Sequence, residues 1–79
     1  MEDQDLTAAQ CRAARALLNW TQKDLAAKSR VSIVAIQNFE LGKTRPVVGT
    51  VALLRSAFER AGIVFIPKDG GGVGVRLKK

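Results

Sequence analysis

The run Trp20-Thr21-Gln22-Lys23-Asp24-Leu25-Ala26-Ala27-Lys28-Ser29-Arg30-Val31-Ser32-Ile33-Val34-Ala35-Ile36-Gln37-Asn38-Phe39-Glu40-Leu41-Gly42-Lys43 decides the fold. Thr21, with Asp24 three residues on, opens a helix in the manner of a capping box. That helix is short, Gln22 to about Lys28, with Leu25 and Ala26 inward. Ser29-Arg30-Val31 is a tight connection. Ser32 then caps a further helix, Ile33 to Leu41, in which Ile36 and Phe39 face inward with Val31. Gly42 is placed to end it in the left-handed conformation. Two short helices joined by a turn of three or four residues are the geometry of a helix-turn-helix.

Working outward, Thr7 can cap a helix reaching Leu18, rich in alanine, leucine and arginine, with Cys11, Ala14 and Leu18 as its apolar stripe. On the other side, Lys43-Thr44-Arg45-Pro46 forms a basic loop. A fourth helix runs from about Val48 or Thr50 to Ala61, with Val51, Leu54 and Phe58 on one face, and Gly62 stops it. Ile63-Val64-Phe65-Ile66 is β-branched and aromatic, Pro67 to Gly72 is turn chemistry, and Val73 to Leu77 can return as a second strand. The chain thus divides into an acidic flexible segment 1–6, a helical domain 7–62 and a β-hairpin 63–79 with a frayed basic end at Lys78-Lys79.

A chain of 79 residues holds one domain. Cys11 is the only cysteine and histidine is absent, so neither a disulfide within the chain nor a metal cluster is expected to support it. No cofactor is implied. The net charge is +6. Glu2, Asp3 and Asp5 hold three of the seven acids, so thirteen Lys and Arg against four acids leave +9 on residues 6–79. A compact basic body suits a polyphosphate partner, or simply a solvated surface. The acidic N-terminus is the reverse of a secretory signal, and no apolar run approaches the roughly 20 residues that span a bilayer. The expectation is a cytoplasmic protein with no membrane contact.

The motif Thr21-Gln22-x-x-Leu25-Ala26, followed by Val31-Ser32 and then Ile36, Phe39, Glu40, Gly42 and Lys43, resembles the Cro/C1-type (XRE) family of phage and bacterial regulators. The resemblance covers about residues 8–61. It implies a mainly α, lambda-repressor-like DNA-binding domain of four to five helices, about four here, extended by the C-terminal hairpin. It also implies that Gln22 touches a phosphate beside the positive end of its helix. The third helix is then the recognition helix, with Ser32, Ile33, Val34, Gln37 and Asn38 left for the major groove. Gln37 and Asn38 can pair with adenine N6 and N7, and Ile33 and Val34 can meet thymine methyls, which points to an A·T-containing site. Members more often carry polar residues where this chain has Ile33 and Val34, so packing is the competing role there. Ser32 serves a phosphate in this reading, and Lys43, Thr44 and Arg45 lie along the sugar-phosphate backbone. Arg15 and Glu40 are expected to form an internal ion pair that ties the first helix to the end of the third. The family often has glycine where this chain has Arg30, a position convenient for a left-handed backbone.

Cys11 is read as a buried structural thiol in preference to a redox sensor, and Trp20 as a core residue. Nothing in the chain points to an enzyme: there is no base beside Cys11, and Gly70-Gly71-Gly72 lacks the strand-to-helix setting of a nucleotide loop. An isolated hairpin exposes its edges, and pairing with a second subunit would satisfy them. Ile63, Val64, Phe65, Ile66 and Val75 are therefore expected at a homodimer interface, unless the hairpin folds onto its own fourth helix. A homodimer would place two recognition helices about 34 Å apart on a pseudo-palindromic operator in double-stranded DNA. The expected function is a sequence-specific transcriptional regulator, a dimeric repressor or autoregulator. The alternative is an antitoxin or other partner-binding module with a second protein at the hairpin.

Overall fold

One local device is repeated at the start of each of the first three helices. A computed structural model describes residues 6–43, 47–68 and 70–78. Helices α1 (Ala8–Leu18), α2 (Gln22–Ser29) and α3 (Ile33–Glu40) are capped by the hydroxyls of Thr7, Thr21 and Ser32, which accept from the main-chain N–H of Gln10, Asp24 and Ala35. Thr7 with Gln10, and Thr21 with Asp24, complete reciprocal capping boxes. The residue before each cap is apolar, as is the fourth helical residue: Leu6 and Cys11, Trp20 and Leu25, Val31 and Ile36. All six belong to the core or pack against it. This is the hydrophobic-staple spacing, and it fixes the angle at which the chain enters each helix. Leu6, expected in a flexible segment, is only 4% exposed and belongs to the core, because it supplies the staple of α1.

The helix ends follow the same local logic. Asn19 (φ 59°) and Arg30 (φ 66°) close α1 and α2 in the left-handed region. Leu41 lies just past α3. Gly42 (φ +74°) donates to the Phe39 carbonyl, and Lys43 donates to that of Asn38, a Schellman ending. Helix α4 (Val48–Arg60) has no side-chain cap, and Gly62 (φ +101°) turns the chain into β1 (Ile63–Ile66). Strand β2 (Gly74–Leu77) starts one residue later than expected and pairs antiparallel with β1, Ile63 opposite Leu77 and Phe65 opposite Val75. The end expected to fray at Lys78 is held, since its N–H donates to the Gly62 carbonyl at 2.7 Å.

Phe58, Leu25, Ile36, Leu54 and Cys11 are the largest fully enclosed side chains. Trp20 stacks on Phe58 at 5.8 Å between centroids, and Phe65 meets the same ring edge-on at 5.9 Å. The core is thus shared between the helices and the hairpin. Strand β2 packs on α1 and β1 on α4, and Gln10 of α1 donates from its side chain to the Gly74 carbonyl. No helix among the described residues is long and apolar enough to cross a membrane.

Candidate nucleic-acid interface

Helix α3 divides sharply into two sides. Ile36, Phe39 and Glu40 are buried, while Ile33, Val34, Gln37 and, at the C-cap just past the helix, Leu41 are exposed. Val34, Gln37 and Leu41 follow one another at i, i+3 and i+7 and form the outward row. Val34 is 59% exposed and Leu41 70%. Ile33, at 37%, flanks the row, and Asn38 on the other side is half-buried. Neither Gln37 nor Asn38 makes a side-chain hydrogen bond to another described residue, so both amides are free for an outside partner. Leu41 was not anticipated as part of this surface. The period of the outward residues, carried one turn past Gln37, would have found it.

The inward side is anchored by one carboxylate. Each oxygen of Glu40 takes two donors: Oε1 accepts from Arg15 Nη2 at 2.7 Å and Gln22 Nε2 at 3.0 Å, and Oε2 from Arg15 Nε at 2.8 Å and Cys11 Sγ at 3.0 Å. Arg15 also donates to the Trp20 carbonyl, and Arg12 caps the end of α3 through the Glu40 carbonyl at 2.6 Å. Burial acts to raise the Glu40 pKa, but the bonds from Arg15, Cys11 and Gln22 outweigh it and hold the group below its usual value. Burial first, and then the bond to Glu40, push the Cys11 thiol far above its ordinary range. Cys11 is therefore a protonated donor inside the network, unsuited to thiolate chemistry.

Gln22 was expected to offer its side chain to a phosphate, and here that side chain leans on Glu40. An amide nitrogen carries two hydrogens. The bond to Glu40 uses one and leaves the second N–H and the amide oxygen unspent. The Ser32 hydroxyl caps α3 and retains its own hydrogen, and Lys43 is exposed at the end of the Schellman turn. Thr44 and Arg45, the remaining loop candidates, lie outside the described residues. Arg30 is exposed at its left-handed turn.

The residues expected at a subunit interface separate. Ile63 and Phe65 are buried in the core of their own chain, 2% and 8% exposed. Val64 and Ile66 are half-buried on the other face of the hairpin, and Val75 is half-buried on β2. The hairpin lies against α1 as well as α4, and the bond from Gln10 to Gly74 is what the expectation of a contact with α4 alone did not include.

A helix-turn-helix family model matches residues 12–61, from the second turn of α1 to the end of α4. A search of curated proteins finds no significant match. The matched segment is more than half of the chain and contains α2, the turn at Arg30 and α3, so the chain belongs to the XRE, Cro/C1-type family of DNA-binding helix-turn-helix regulators.

Proposed function

We propose that the chain is a sequence-specific, double-stranded DNA-binding transcriptional regulator, a dimeric repressor or autoregulator acting in the cytoplasm, that reads the major groove with α3. The observation that carries this reading is the outward row of α3, which leaves Val34 and Gln37 open while Glu40 locks the opposite side to α1 and α2. Gln37 and Asn38 pair with adenine edges, and Ile33 and Val34 meet thymine methyls. Gln22, Ser32, Lys43, Thr44 and Arg45 contact phosphates and supply the sequence-independent part of the affinity. Arg15 and Glu40 tie α1 to the end of α3 and touch no DNA. The hairpin joins two subunits across a pseudo-palindrome.

The test is an anisotropy titration against DNA from upstream of the protein's own gene and against a scrambled duplex, at about 50 and 200 mM salt. Tighter binding to the native fragment, a steep salt slope and two subunits per site are expected. Absence of binding to either duplex at the lower salt would overturn the reading.

A further inference from the structure

We propose that β2 is the strand through which two copies of this chain join, pairing antiparallel with β2 of the second copy about a two-fold axis beside Val75. The proposal rests on the reading of the hairpin as the subunit joint, and it specifies the strand, the edge and the register.

The hydrogen-bond phase of the hairpin decides which main-chain groups are free. Lys78 donates to Gly62, and the register continues through Val64 opposite Arg76 and Ile66 opposite Gly74. In an antiparallel ladder, bonded and non-bonded pairs alternate. Ile63 and Phe65 on β1, and Val75 and Leu77 on β2, therefore direct their N–H and C=O groups away from the partner strand. The two outer edges differ. On β1, Ile63 and Phe65 are almost fully covered, and the next outward position is Pro67, which has no N–H to give. On β2, Val75 and Leu77 are half-buried, Val73 is 43% exposed, and no proline interrupts the row. The accessible edge is that of β2.

Charge and side-chain size select the register and the occupant. A two-fold axis beside Arg76 would set two arginines against each other. An axis beside Gly74 would pair little of the strand. With the axis beside Val75, Val75 faces its own copy, Val73 faces Leu77, Arg76 faces Gly74 and Lys78 faces Gly72. Every cation of the described strand then lies opposite a glycine, which brings neither charge nor bulk. Residues directly opposite share a face of the sheet. The pairs of Val73, Val75 and Leu77 therefore lie on the side turned to the helices and extend the core of each subunit, while Arg76 stays on the exposed side. The strand is self-complementary in this register, so a second copy is the occupant.

Sedimentation equilibrium of the full chain should give twice the 8.5 kDa of one chain. Val75→Pro deletes an N–H that the hairpin's own ladder does not use, and proline is tolerated at such an edge position. It should sediment as a monomer with an unchanged circular dichroism spectrum, while Val75→Ala, which keeps the N–H, stays dimeric. For the register, Gly74→Cys and Arg76→Cys are mixed and oxidised. The two positions face each other as a non-bonded pair with Cα atoms about 4.5 Å apart, within disulfide reach. A Cβ at Gly74 meets Ile66 Cδ1 at 3.5 Å, an ordinary van der Waals contact, and Cys11 is fully buried. The mixed disulfide should predominate over either homodisulfide. A monomeric wild type, a dimeric Val75→Pro variant, or homodisulfides forming as readily as the mixed species would each overturn the proposal. If Val75→Pro does not fold, the cysteine mixture decides alone. A monomer that still binds DNA would overturn this joint and leave the regulator reading intact; a dimer that binds no DNA would do the opposite.

Discussion

The two sides of α3 obey opposite rules. Its inner side, Ile36, Phe39 and Glu40, is buried, and the one ionised group there has every acceptor position occupied by a donor. Its outer side exposes Val34 and Leu41, where folding alone would favour polar groups, and leaves Gln37 without a partner among the described residues. Folding explains the first arrangement and is indifferent to the second. Apolar side chains held out on a short, rigidly anchored helix suit the proposed contact with thymine methyls. The contrast predicts that substitutions on the inner side change stability, and those on the outer side change recognition.

The largest effect is expected from Glu40→Ala. It strands Arg15 and deprives Cys11 and Gln22 of their acceptor, and breaking a buried pair from one side costs about 3–5 kcal/mol. That is a large share of the stability of a small domain, and urea unfolding should show it directly. The same carboxylate gives a pH signature. Its folded pKa is lowered, so its stabilisation is fully present above the unfolded value near about 4.3 and is lost as pH falls through the folded value. Wild-type stability should therefore decline in acid, and Glu40→Gln should remove Glu40's share of that decline. An equal acid decline in the variant would separate the network from the stability of α3.

Next comes the outer side. Gln37→Ala should cost about 1–3 kcal/mol of discrimination at one base pair, with stability unchanged to within about 0.5 kcal/mol. Competition titrations against a selected site and its single-base variants would measure the first, and thermal unfolding the second. A fall in stability comparable to the loss of binding would erase the distinction between the two sides. Val34→Ala should act more weakly. Replacing thymine by uracil in the selected duplex removes only the C5 methyl, so it should weaken binding of the wild type severalfold and of Val34→Ala much less. An equal loss in both would show that Val34 meets no methyl group.

The same contrast explains what was legible in the sequence. Thr7, Thr21 and Ser32 announce their helices because a cap acts within three residues, and Gly42 and Gly62 announce the endings for the same reason. The outward positions of α3 follow from the period of the inward ones. Less legible were contacts set by the packing of distant elements. Cys11 and Glu40 lie 29 residues apart, and Gln10 and Gly74 lie 64 apart. Neither pair has a local signature, and Gln22 read as a free phosphate ligand until the end of α3 was placed beside it. Ile63 and Phe65 looked available because alternation along a strand tells which residues share a face, and leaves open which face meets the helices.

The smallest effect belongs to Arg30, where the local rule and the family pattern conflict. The residue closes α2 at φ 66°, a conformation that costs a non-glycine side chain of order 1 kcal/mol. Its exposed guanidinium makes no hydrogen bond to a described residue that would offset this. Arg30→Gly relieves the strain and adds freedom to the unfolded chain, so the net gain should be about 0.5 kcal/mol, a rise in Tm of a few degrees. The salt dependence of DNA binding tests what the arginine does there. A slope reduced by about one in the stabilised variant would count Arg30 as a phosphate contact and move it to the outer side of the comparison. An unchanged slope would leave a strained turn whose arginine serves only the solvated surface.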